Sequence, residues 1–178
     1  MRFTLHSSDI LDGQRLPLAQ LFDGWGHAGE NVSPQLAWDG PPEDTQSFVV
    51  TMFDPDAPTG SGWWHWVVVD IPASSSELAR GSGSGKAELP TGALQARTDF
   101  GAAGYGGAAP PPGAPHRYVL RVLALSVPSL GVDTGASGAM VTALASGHKL
   151  AEATLTATYP QVSRRLPPAS ATRPRQSA

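Results

Sequence analysis

Glycine and proline recur along this chain from end to end, and that spacing constrains the fold more than any other feature. The 178 residues include 20 Gly and 17 Pro, the two residue types that helix and strand interiors tolerate least. Long helical bundles and coiled coils are therefore excluded. The breakers have no three-residue period, so a collagen-like chain is excluded as well. Many short strands joined by many turns remain. Hydrophobic residues make up 40%, too many for wholesale disorder and enough for a buried core in one domain of this length.

Three runs read as strands. Ser47 to Phe53 (SFVVTMF) is short, apolar and β-branched. Trp63 to Ile71 (WWHWVVVDI) lies between Gly60-Ser61-Gly62 and Pro72, and His116 to Val127 (HRYVLRVLALSV) ends at Pro128. Their continuous apolar character predicts strands covered on both faces. Arg2 to Leu5 and Gln35 to Trp38 are weaker strand candidates. Helix is expected late. Ser137 can cap a helix over Gly138 to Ser146, and His148 to Thr158 has Leu150, Ala151 and Leu155 at helical spacing before Pro160. Ala73 to Gly85 reads as a flexible loop. Thr98 to Pro115 is a long Gly- and Pro-rich connection of the kind that is functional or disordered. The plain reading is mainly β, with one or two short C-terminal helices.

Charge and cysteine usage narrow the function classes. The absence of Cys removes a disulfide framework, a thiolate zinc site and a Cys nucleophile. The net charge is −3, but Arg164, Arg165, Arg173 and Arg175 lie in a terminal segment without any acid. The preceding body is thus distinctly acidic, and no nucleic-acid partner is expected for it. Residues 1–163 read as one domain and 164–178 as a disordered basic Pro/Ala/Ser/Arg tail. The N-terminus MRFTLHSSDILDGQRL lacks the apolar stretch of a signal peptide. No run of about 18 apolar residues exists for a membrane span. A cytoplasmic location is the expectation, and Asn31-Val32-Ser33 is then a chance glycosylation match.

Side-chain alternation points to a site. On the first strand Val50, Met52 and Asp54 share a face. On the second, Trp63, His65, Val67 and Val69 share one. On the third, His116, Tyr118, Leu120 and Val122 share one, with Arg117 and Arg121 on the other. Asp54 ends its strand, whereas His65 and His116 begin theirs. In antiparallel neighbours those ends coincide, so Asp54, His65, His116 and Tyr118 are expected at one rim. A lone His on an apolar strand face is more often structural than functional; two beside Pro/Gly-rich loops keep both readings open. Asp54-Pro55-Asp56-Ala57-Pro58 reads either as a rigid acceptor-bearing rim or as a turn in which Asp caps its own backbone. Composition favours the turn. Gly24-Trp25-Gly26-His27-Ala28-Gly29 matches G-x-G-x-x-G, but no helix follows, so a dinucleotide site is rejected. Neither a nucleophile elbow nor a phosphate-binding P-loop is present, and no metal or cofactor is expected.

Longer motifs carry a family resemblance. Asn31 to Trp38 (NVSPQLAW), Asp54 to Val69 (DPDAPTGSGWWHWVVV) and Phe100 to Leu125 (FGAAGYGGAAPPPGAPHRYVLRVLAL) occur in the order found in the phosphatidylethanolamine-binding protein family. Together they resemble that family's signatures, with weaker similarity from about Leu5 to Tyr159. The spacing is most similar to the bacterial branch often called Raf kinase inhibitor-like proteins. The resemblance implies a β-sandwich with Greek-key connections and short C-terminal helices. It also implies a small cavity for phosphate-type anions and phospholipid headgroups. By motif match, the ligand-binding residues would be Asp54, Asp56, Pro58, Trp63, His65, Gly107, Pro110, Pro111, His116 and Tyr118.

The chain departs from the family pattern where bacterial members read G-Y-G-G-P-C-P-P. Here Ala108 replaces Pro and Ala109 replaces Cys. The usual basic residue near the last Tyr is displaced, since Pro160 and Gln161 follow Tyr159.

Two arrangements would reconcile Asp54 with an anion. Asp54 accepts from an imidazole whose other nitrogen faces the anion, or the backbone N–H groups of Gly106 and Gly107 cradle the phosphate in a nest. The leading functional expectation is a binding protein for a small anionic ligand such as phosphate or phosphoethanolamine, with no catalytic residue. The alternatives are a regulator that inhibits an enzyme partner such as a kinase, and a hydrolase or lyase using His65 and His116 as acid and base. Bacterial relatives suggest a homodimer.

Overall fold

The computed structural model describes residues 2–160. The expected basic tail, and the domain end placed at 163, lie outside the described residues. Eight strands and one α-helix follow in chain order: Thr4–His6 (β1), Leu36–Asp39 (β2), Ser47–Asp54 (β3), Trp63–Pro72 (β4), Glu77–Leu78 (β5), Leu94–Gln95 (β6), His116–Leu125 (β7), Gly138–Ser146 (α1) and Lys149–Tyr159 (β8). They form a five-stranded antiparallel sheet, β6-β4-β3-β7-β8, and a three-stranded one, β1-β2-β5.

Both faces of the larger sheet are covered, which is why its central strands are continuously apolar rather than alternating. Leu36, Trp38 and Leu78 of the small sheet pack on Phe48, Val50, Met52, Leu120 and Val122. On the opposite face, Val141 and Ala145 of α1 pack on Val49, Val67, Val69 and Leu123. The result is the sandwich of the sequence reading, with a helix as a third, partial layer. The α1 cap is as read: the Ser137 hydroxyl accepts from Met140 N at 3.2 Å.

Two expectations are corrected. The segment 148–158 is a strand, not a second helix. Its Leu150/Leu155 spacing suits a helix, but Ala153, Leu155 and Ala157 also alternate with Thr154, Thr156 and Thr158, and that second period wins. β7 offers β8 a ladder from His116 to Leu125, and the N-terminal segment covers the far edge. There Gly13 N and Leu16 N donate to the Thr156 and Thr158 carbonyls, and Thr158 N donates to Gln14 O.

The second correction concerns parity along β4. The β3–β4 register shifts between Met52 and Phe53, where Met52 pairs with Trp66 and Phe53 with Trp64. This bulge at His65 resets the alternation. Val67 and Val69 therefore pack under α1 with Trp64, whereas Trp66 and Val68 join the inter-sheet core. His65 lies over Tyr118 of that same core, ring centroids 5.2 Å apart, and not on the face of Val67.

Candidate functional site

β4 and β7 both run antiparallel to β3, so the C-terminal Asp54 of β3 meets the first residues of its two neighbours. The Asp54 side chain is buried, 3% exposed. Its Oδ2 accepts from His116 Nδ1 at 2.7 Å, and its Oδ1 accepts from Asp56 N at 2.8 Å. The turn reading and the rim reading of DPDAP are thus both realised, one on each oxygen. Because His116 Nδ1–H donates to Asp54, the Nε2 atom of that ring is the one left for a ligand.

His65 is held differently. Its Nδ1 lies 2.8 Å from Gly106 O and 3.1 Å from Gly107 O. Two carbonyls can only accept, so Nδ1 carries the proton and the neutral ring presents a lone pair at Nε2. Burial holds its pKa below the ordinary value, outweighing the carbonyls and the Asp54 charge.

These three groups border a cavity of about 100 Å³ whose walls are aromatic and proline-rich. Trp63, Pro58, Pro110 and Pro111 line it as the motif match implied. Three expected residues do not. Tyr118 lies beneath His65, fully buried, and its hydroxyl has no partner among the described residues; burial raises its pKa. Asp56 faces away and takes Arg117 in a two-pronged ion pair, Nε to Oδ2 at 2.9 Å and NH2 to Oδ1 at 2.8 Å. That guanidinium lowers the Asp56 pKa to about 2.

Gly107 is a structural joint. Its N–H donates to Asn31 Oδ1 at 2.7 Å, and Gly106 N donates to His65 O at 2.8 Å. Both amides are committed, so the backbone nest considered from the sequence is not formed. A Cβ on Gly107 would fall 2.4 Å from Leu21 C and Phe22 N; only glycine permits this approach.

The close approach brings in two residues that motif transfer missed. Phe22 N donates to Ala108 O and Ala108 N to Gln20 O, docking the 20–31 segment on the loop beside the cavity. Trp25 then stands at the mouth, 66% exposed, on a left-handed backbone with φ 54°. Its ring stacks on Phe100 at 5.1 Å, and Phe100 meets Trp63 edge-on at 5.4 Å. Phe100 is presented by Asp99, whose carboxylate accepts from Trp64 N at 2.7 Å. Ala57, Thr59 and Ala109 complete the wall. The only sequence signal for Trp25 was an aromatic between two glycines; Phe100 lay inside a quoted motif but was not singled out. One polar atom of a lining residue is unsatisfied: Trp63 Nε1 is buried and has no partner among the described residues.

Comparison with known proteins bears on this arrangement. The family profile for phosphatidylethanolamine-binding protein matches residues 6–160. The chain belongs to this family. The UPF0098 protein YbhB of Escherichia coli K12 is 56% identical over 155 residues, 87% of this chain and 98% of that one. YbcL of the same organism is 48% identical over 159 residues, 88% of this chain and 87% of its own. The crystal structure of E. coli YbcL, described as a new member of the mammalian PEBP family, superposes with a TM-score of 0.87 over 90% of this chain and 99% of that one. A Chlamydia trachomatis PEBP homologue at 29% identity gives 0.76 over 89% and 97%. The whole cavity, from Trp25 to His116, lies within the matched span. No helix among the described residues is long and apolar enough to cross a membrane.

Proposed function

We propose that this protein binds small phosphate-bearing ligands of the phospholipid-headgroup kind, such as phosphate or phosphoethanolamine, in the Asp54–His65–His116 cavity. The observation that carries the proposal is the orphaned Nε1–H of the lining residue Trp63. A buried donor without a partner costs about 1–3 kcal/mol, and a ligand oxygen removes that cost. His116 lines the same cavity with Nδ1 committed to Asp54. Its Nε2 is left to hydrogen-bond the phosphate, while Asp54 fixes the ring. The His65 Nε2 lone pair accepts, which suits a phosphate hydroxyl or an ammonium. The aromatic walls exclude water and strengthen each of these bonds. At about 100 Å³ the cavity is small beside the roughly 300–1,000 Å³ of drug-sized sites, which favours a headgroup over a larger ligand. The family's name, and the kinship of YbcL to mammalian PEBP, point the same way.

Turnover is not part of the proposal. The hydroxyl in the lining belongs to Thr59, and it donates to Gly62 O at 2.6 Å.

Calorimetric titration with phosphoethanolamine tests the reading. Trp63→Phe keeps the ring, loses the N–H and should weaken binding about tenfold. An affinity unchanged in both Trp63→Phe and His116→Ala would sink the proposal.

A further inference from the structure

We propose that the protein carries a second, independent site for a small oxyanion on the opposite face of the large sheet, beside α1. Arg121 points to that face, since its neighbours Leu120 and Val122 pack into the inter-sheet core and Leu123 packs under the helix. There a pocket of about 90 Å³ opens between the sheet and the edge of α1, bordered by Thr51, Arg121, Thr142, Ser146, Lys149 and Glu152. Its volume suits several waters or one small oxyanion.

The decisive feature is an unmet donor. Arg121 Nε is buried and has no hydrogen-bond partner among the described residues. The nearest carboxylate oxygen, Glu152 Oε1, is 3.6 Å away, beyond hydrogen-bond length. The two form an ion pair without a hydrogen bond, and the other Glu152 oxygen takes Lys149 at 2.9 Å. The guanidinium is ion-paired and partly exposed, but its buried Nε–H still lacks an acceptor, which a ligand oxygen or ordered solvent can supply.

Charge selects the class of ligand. Two cations and one carboxylate leave the pocket with an excess positive charge. The hydroxyls of α1 are turned the other way: Thr142 donates to Gly138 O and Ser146 to Ala143 O. Donation to a guest therefore falls to Arg121 and Lys149, with Thr51, 2% exposed, at the floor. An anion with oxygen acceptors fits: inorganic phosphate, sulfate or a small carboxylate. This inference does not rest on the cavity at Asp54.

Titration of the full chain with inorganic phosphate and with sulfate, followed by the NMR signal of the Arg121 Nε–H, tests it. The signal should shift saturably. Arg121→Met should weaken this binding at least about tenfold. Lys149→Met should weaken it less. Glu152→Gln, which removes the repelling carboxylate, should strengthen it several-fold; a merely structural ion pair predicts no gain. His116→Ala should leave this site intact. The proposal is overturned if the Nε–H signal does not move, or if Glu152→Gln brings no gain. It is equally overturned if all phosphate binding is lost in His116→Ala. Should Arg121→Met fail to fold, the exposed-side Lys149 and Glu152 variants still decide.

Discussion

At the scale of single residues, environment sets charge more than residue type does. His65 and His116 are both imidazoles at strand starts, yet one donates to carbonyls and the other to a carboxylate. Burial lowers the His65 pKa from 6.5, so the unfolded chain takes up a proton there that the folded one refuses. Its share of stability is therefore fully present above about pH 6.5 and is lost as pH falls. Chemical denaturation between about pH 7.5 and 5 should show this decline, and His65→Gln should flatten it; an equally steep profile in the variant would show that His65 is not its source. Asp56 has the usual carboxylate sign. Arg117 holds it at about 2, so the pair supports the fold above about pH 4 and ceases to do so as pH falls through 2. Both partners are partly exposed, 58% and 30%, and the stabilisation is correspondingly small. Strand alternation was enough to bring Asp54, His116 and Tyr118 to one end of the sheet. It could not show that Asp56 serves Arg117 rather than the cavity, because a turn residue has no periodic face.

Elements differ in how far their own residues decide them. β3 and β7 are legible because long apolar β-branched runs have no competing period. β8 carries two periods, helical in its leucines and alternating in its alanines and threonines, and the free edge of β7 settles the choice. In β4 the residues are those expected but the bulge at His65 is not, and it moves Val67 and Val69 to the helix side. A second shift between Phe48 and Val50 accompanies Asp70 at φ 55°, whose carboxylate accepts from Ser129 Oγ and Leu130 N. The joint between the 20–31 segment and the 106–111 loop is testable at this scale. Gly107→Ala forces a Cβ to within 2.4 Å of backbone. It should destabilise by about 1–3 kcal/mol in urea titration and also weaken headgroup binding as Trp25 is displaced. Full stability with a Cβ at 107 would show that this loop is not a fixed wall.

For the whole molecule, the cavity is a junction: three strand ends form the floor, and two loops distant in sequence form the walls. Any ligand there ties these segments together and should raise the melting temperature. A concentration of 100 times Kd adds about 2.7 kcal/mol, a rise of roughly 5–10 °C for a domain of this size. In an Arg121→Met background the rise should vanish in His116→Ala; a shift that survives both substitutions would place the ligand elsewhere. The sequence by itself determined the β architecture, the family and the placing of Asp54 and His116 at one end of the sheet. Those follow from breaker spacing, motif order and alternation, all of which are local chemistry. Only the tertiary structure decided that β8 is a strand, that β4 changes faces, that Gly106 and Gly107 spend their N–H groups within the protein, and that Trp25 stands at the mouth. Each of these depends on which distant segment supplies the hydrogen-bond partner, and that is a property of the packed chain rather than of any stretch of it.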